Sequence, residues 1–183
     1  IIPCLMYASI IVYIANLSLL FVNYFGVTQH QVGYYQAAIM LTFLIFSFIS
    51  VYLLKKLTIN ASQRIGLFAT LIPAILLLLF QFVLPNSPIL VTVIMSLFAA
   101  GSAIALGPFI SQALNTYPKL RGTSSALLGA IRLVLSSLVI TLAGHLFNGT
   151  LTPVALIIFG LMLISAGMYF HLCMNAAPSQ DIS

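Results

Sequence analysis

Arg132 stands alone as a charge in apolar sequence. It lies eleven residues after Arg121, and no other Lys, Arg, Asp or Glu occurs between Gly122 and Leu146. In a helix that spacing is ~16 Å, roughly half of a hydrocarbon core ~30 Å thick. A guanidinium at such depth reaches neither interface easily, and placing it there costs about 2.5–3.5 kcal/mol. No acid within an apolar stretch offsets that cost, because the chain's single carboxylate side chain, Asp181, lies in the C-terminal tail. Ser125, Gly129, Arg132 and Ser136 recur at helical spacing, so the arginine shares a small, polar face suited to a water-filled cavity. Intramembrane ionisable residues are functional by default. The expectation is that Arg132 binds an anionic group of a transported solute, or a carboxylate on a helix outside this chain. The alternative is a structural arginine satisfied by broken-helix carbonyls or by that outside acid alone.

Other polar side chains fall on helical faces too. Ser9, Tyr13, Asn16 and Asn23 share one face of the first apolar segment, and Gln36, Met40, Phe43, Ser47 and Ser50 share one of the second. Hydrocarbon offers these groups no water, so the faces turn toward other helices or a wet cavity. Interhelical hydrogen bonding and cavity lining both fit. Tyr13, Asn16, Gln36 and Ser136 join Arg132 as expected substrate-binding residues, hydrogen-bonding groups around one charge in an apolar pocket. Gly107-Pro108 would bend the fourth segment, as a gate hinge or as a static kink. Gly101 with Ala105, and Gly122 with Ser125 and Gly129, mark rows for close helix packing. His30, His145 and His171 sit near segment ends. Each is an interfacial polar residue or a carrier of a coupling proton.

Enzyme chemistry has no foothold. There is no Gly-x-Ser-x-Gly elbow, no pair of carboxylates, no phosphate-binding glycine loop and no His/Cys cluster. Catalytic residues, cofactors and metals are therefore not expected. Cys4 and Cys173 read as buried membrane thiols, and the N-x-S/T matches at Asn16, Asn60 and Asn148 as chance, since each falls in or beside an apolar run.

The elements that must position these residues are long. Of 183 residues, 62% are hydrophobic and 4% charged, with mean hydropathy +1.22. Soluble domains carry about 25% charged residues, so the solvent for this surface is lipid. Spans of ~20 apolar residues are needed to cross a bilayer. Six segments qualify, at about 2–24, 32–54, 65–84, 88–114, 121–147 and 152–174. They give an all-α, polytopic domain over 1–174 and a tail over 175–183. Continuous apolar runs exclude the short alternating strands of a membrane β-barrel. The net charge of +5 does not indicate nucleic acid, because the basic residues form no cluster.

Loop charge orients the chain. Lys55, Lys56 and Arg64 flank the second link and Lys119 and Arg121 the fourth, while the other three links hold no Lys or Arg. The positive-inside rule makes that side cytoplasmic, with both chain ends on it. No basic leader precedes the first span, so a cleaved signal peptide is not expected. The opening at Ile1, already inside a hydrophobic span, reads as the start of a piece of a longer protein.

Three stretches resemble a known family. They are Tyr24-Phe25-Gly26-Val27-Thr28-Gln29 through Val32-Gly33, Gly101 through Gly107-Pro108 to Tyr117-Pro118, and Arg121-Gly122-Thr123-Ser124-Ser125-Ala126-Leu127-Leu128-Gly129. Together they resemble the second half of the major facilitator superfamily, within it the Bcr/CflA-like drug:proton antiporters. The resemblance covers nearly the whole chain. It implies that the six segments are the seventh to twelfth helices of a twelve-helix carrier, each half a three-plus-three inverted repeat. It further implies a bacterial inner-membrane protein that exports drug-like or small organic solutes against proton entry, with the N-terminal half as partner. Arg132 stands where relatives often have an uncharged polar residue such as Gln, which favours an anionic or zwitterionic solute. The charged signature between the family's second and third helices is echoed by Lys55 to Arg64 without an acid. Proton-coupling carboxylates would have to come from the other half. Readings outside this family are a six-helix accessory or structural membrane subunit, or a half-size transporter working as a homodimer.

Overall fold

The computed structural model describes residues 1–83, 87–115 and 120–176. Residues 84–86 in the third link, residues 116–119 with Lys119 in the fourth, most of the expected tail with Asp181, and the Cys173 side chain lie outside the described residues. Among the described residues every regular element is helical. These are α1 (Ile2–Leu19, continued by a π-helical turn Leu20–Tyr24), α2 (Gln29–Lys56), α3 (Ile59–Val83), α4 (Pro88–Asn115), α5 (Arg121–Leu146) and α6 (Thr152–Ala176). Each contains a segment long and apolar enough to cross a bilayer, so this is a multi-pass membrane protein.

The helices outrun their apolar cores. α2 begins at Gln29 rather than 32 and ends at Lys56 rather than 54, and α3 begins at Ile59 rather than 65. Only Leu57 and Thr58 separate them. Thr58 starts α3 by accepting the Ala61 N–H on its hydroxyl at 3.3 Å and the Ser62 N–H on its carbonyl at 3.0 Å. Hydropathy marks the oily part of a helix, whereas the backbone stays helical beyond it because its hydrogen bonds do not depend on side-chain polarity. Gly26 (φ +65°) and Gly149 (φ +81°) turn the chain after α1 and α5 in a conformation that side chains disfavour. The π-helical turn has a second effect. It takes Asn23 out of phase with Asn16, leaving Asn23 exposed instead of on the expected shared face.

The packing follows a simple exchange rule. α4 packs mainly on α3 and α2, α1 mainly on α6 and α5, α1 touches α4, and α3 touches α6. Swapping α1 with α4, α2 with α5 and α3 with α6 returns the same set of contacts. Three crossings separate the paired helices, so the two triplets run in opposite senses, the pattern of an inverted three-plus-three repeat. α1 and α4 form the buried centre and α2 and α5 the exposed flanks.

The α3/α4 contact is the closest. A Cβ on Gly66 would lie 2.6 Å from the Ala105 backbone, and one on Gly101 would lie 2.5 Å from the Ala69 carbonyl. Gly101 and Ala105 thus form a packing row, with Gly66 as the partner that completes it. The expected row on α5 differs. A Cβ on Gly122 or Gly129 meets nothing within 4 Å, and Ser125 is exposed. Among the described residues nothing lies where a side chain on Gly122 or Gly129 would reach.

α4 runs on through Gly107 and Pro108 without a break. Proline has no N–H, which frees the carbonyl four residues earlier, at Ile104. Ser50 of α2 donates its hydroxyl to that carbonyl at 3.2 Å. Ser50 is therefore interhelical glue. Gln63 of α3 likewise donates its amide to Gln112 of α4 at 2.6 Å.

Candidate functional site

α1 and α5 lie side by side in parallel, as three successive levels show. The Cys4 thiol faces the Leu128 carbonyl at 3.9 Å. One turn further, the Arg132 guanidinium carbon stands 4.0 Å from the centroid of the Tyr7 ring. One turn further again, Ile11 and Ser136 line one cleft. Side chains on a helix lean toward its N-terminus, which carries the guanidinium from its own level down onto Tyr7.

Stacking on Tyr7 leaves Arg132 incompletely satisfied. A cation over an aromatic face gains about 0.5–2 kcal/mol, less than the about 2.5–3.5 kcal/mol that a central arginine costs. The Arg132 Nε is buried without a hydrogen-bond partner among the described residues. The Ser136 hydroxyl and the Tyr13 hydroxyl are buried and unpartnered as well. The Ser62 hydroxyl on α3 is a fourth such group, and since buried polar groups are nearly always paired, each of these is open to a partner from elsewhere. A cleft beside Ser136 measures about 290 Å³ and is lined by Tyr7, Ile11, Leu133, Ser136, Ser137, Ile140 and Thr141. Thr141 spends its hydroxyl on the Ser137 carbonyl at 2.9 Å. Ser136 does not.

No family model, curated protein or solved structure matches this chain.

The five expected substrate-binding residues do not converge. Ser136 lines the α1/α5 cleft, whereas Arg132 stands over Tyr7, which lines it, without being part of the lining itself. Tyr13 is fully buried in α1 and outside the cleft lining. Asn16 turns its amide back onto the Val12 carbonyl at 2.9 Å, so that donor is spent within its own helix. Gln36 is half-buried on α2, which flanks α4 and not the α1/α5 pair. Tyr7 is the residue that sequence reasoning missed. It is off the Ser9–Tyr13–Asn16 face, and nothing in the chain links positions 7 and 132 until the helices dock.

A larger cleft, about 610 Å³, opens at the other end of the α1 and α6 contact, where Asn60, Gln63, Gln112 and Tyr169 meet apolar neighbours. Its polar groups already serve each other. Gln63 bonds Gln112, and the Tyr169 hydroxyl donates to the Asn60 carbonyl at 3.4 Å. No charged residue lines it. No charged residue lines the smaller cleft either, but its wall carries the unpartnered Ser136 hydroxyl. Among the described residues, no three His, Cys, Asp or Glu side chains come together to hold a metal.

Proposed function

We propose that this chain is the C-terminal six-helix half of a proton-coupled secondary exporter of the major facilitator type, moving drug-like or small organic solutes by alternating access. The observation that carries the reading is Arg132, a membrane-embedded cation with an unpaired Nε, stacked on Tyr7 beside an unpaired Ser136. A carrier needs such a site to be incomplete within one half, because the solute and the facing half complete it. The exchange symmetry of the two triplets supports the same reading. So do the exposed flanks α2 and α5 and the open small-residue row of Gly122, Ser125 and Gly129, which suit a facing six-helix half.

Lys55, Lys56, Arg64 and Arg121 all sit at one end of the bundle. The positive-inside rule supports a cytoplasmic side for that end, and the family resemblance implies a bacterial inner membrane. Described residues hold no carboxylate, so proton coupling through an acid falls to the facing half. The test is solute flux in inverted vesicles carrying the full-length protein under an imposed proton gradient. Gradient-dependent flux is expected, with a large loss for Arg132→Gln. Unchanged affinity and rate in that variant would remove Arg132 from the site, and absence of flux for every solute would remove the carrier reading.

A further inference from the structure

α5 shows two unlike faces outside its contact with α1. Leu127, Ile131, Val134, Leu138 and Leu142 recur every three or four residues, and all of them are exposed. That stripe matches acyl chains. On the adjoining side Ala126, Ala130, Ser137, Thr141 and Gly144 are exposed, with Leu133 as the large exposed side chain among them. A Cβ at Gly129 or Gly144 meets nothing within 4 Å. Small residues offer acyl chains little surface, but they let a second helix backbone come close. This side of α5 is therefore shaped for a helix, and the aliphatic stripe for lipid.

Arg132 borders the small-residue face on the side toward α1. It stands 4.0 Å from the Tyr7 ring centroid yet is only half-buried, with its Nε covered and unpartnered. No hydrogen bond or ion pair to Arg132 forms among the described residues, and none of those residues is an acid. Charge decides between the possible neighbours. Acyl chains bring no partner for a cation, and headgroup phosphates lie about 16 Å away along the helix, near the level of Arg121. A second copy brings another Arg132 and no acid within its spans, so a two-fold pairing through this face sets cation against cation. A helix that carries a carboxylate supplies the opposite charge and the hydrogen-bond acceptors together. An anionic solute does so only while bound, and leaves the cation bare in the empty carrier.

We propose that a transmembrane helix of the facing half packs on the small-residue face of α5 and carries an aspartate or glutamate at mid-membrane that pairs with Arg132. The proposal rests on the carrier reading and names the partner of its embedded cation. Removing one member of such a pair strands the other in a medium that solvates neither, so each loss is large and the two losses do not add.

The experiment is a double-mutant cycle on the full-length protein in lipid bicelles, unfolded with SDS and followed by circular dichroism. Each Asp and Glu in the spans of the facing half is neutralised to Asn or Gln, alone and together with Arg132→Gln. Neutralising one of these acids is expected to raise the unfolding constant at least about 10-fold, and Arg132→Gln does the same, while the double variant is no worse than either single. Losses that multiply for every acid, or facing-half spans that hold no acid, overturn the pair. Disulfide cross-linking serves if Arg132→Gln does not fold, because it leaves both charges in place. With Cys4 and Cys173 removed, Ala130→Cys is expected to cross-link to a cysteine placed one turn from the acid, and absence of that cross-link also overturns the pair. Ala130→Phe is expected to lower stability and Val134→Phe to leave it unchanged, since the first residue meets a helix and the second meets lipid. Equal tolerance of both overturns the docked helix. Proton-driven flux with no acid coupled to Arg132 would remove the pair and leave the carrier standing. A coupled acid in a protein that moves no solute would keep the pair and remove the carrier.

Discussion

Placing a methyl group at Gly101 tests whether the α3/α4 seam holds the bundle together. The Gly101→Ala Cβ would sit 2.5 Å from the Ala69 carbonyl carbon and oxygen and 2.7 Å from the Thr70 nitrogen. All three are backbone atoms, so no side chain can swing aside. Carbon contacts settle at about 3.5–4.0 Å, and reaching that distance moves the two helices apart by roughly 1 Å. A gap of about 0.5–1 Å forfeits a quarter to a half of each contact, each worth about 0.1–0.2 kcal/mol. For a seam of about 40 atom pairs the loss is roughly 1–4 kcal/mol, in line with about 1–3 kcal/mol for overpacked cores. The Gln63–Gln112 bond crosses the same seam and stretches with it. Gly167 on α6 is the control, because a Cβ there meets nothing within 4 Å. Alanine in its place gains helix propensity of up to about 1 kcal/mol. Unfolding in lipid bicelles titrated with SDS, followed by circular dichroism, reads both. Gly101→Ala is expected to unfold at lower SDS by about 2 kcal/mol, and Gly167→Ala at equal or higher SDS. A Gly101→Ala variant as stable as the parent, or one matched in loss by Gly167→Ala, would refute the seam.

Two further outcomes follow from other parts of the bundle. Ser50→Ala strands the Ile104 carbonyl and should cost about 0.6–1.7 kcal/mol, and in a Pro108→Ala background most of that cost should vanish, because residue 108 then donates to Ile104 itself. A double-mutant cycle on the same unfolding assay measures the coupling, and additive losses would show that the hydroxyl and the proline are unconnected. For topology, single cysteines at Thr58 and Asn148 in a background lacking Cys4 and Cys173 should react on opposite faces of the membrane. An impermeant maleimide should label position 148 in intact cells and position 58 only after permeabilisation, and labelling of both from one side would reject the six-crossing arrangement.

Several features were legible without coordinates because they depend on one helix at a time. Apolar runs long enough to span lipid gave the six helices. Gly101 and Ala105 announced a close approach by size alone, and Arg132 announced itself by charge in an uncharged run. Reasoning from single faces failed where geometry between helices decided. Asn16, read as a ligand, gives one amide donor to its own helix. Gln36 shares the polarity of the site but not its location, since α2 and α5 flank different central helices. Gly122 and Gly129 read as packing residues, and a Cβ on either meets nothing within 4 Å among the described residues. Helix ends were also set too short, since hydropathy measures oil and not backbone hydrogen bonding.

Alone, the sequence determined that the chain crosses a bilayer repeatedly, where its helices lie, and that one cation is buried without an acid beside it in the chain. Those conclusions rest on transfer energies and on a 3.6-residue period, both local properties of a helix. Tertiary structure decided which helices touch. It set Tyr7 beneath Arg132, gave the Ile104 carbonyl to Ser50, and closed Gly66 onto Ala105. Each of those pairs joins residues some 40 to 125 positions apart. No periodicity within one helix encodes such a pairing, because it depends on how two helix surfaces fit when they meet.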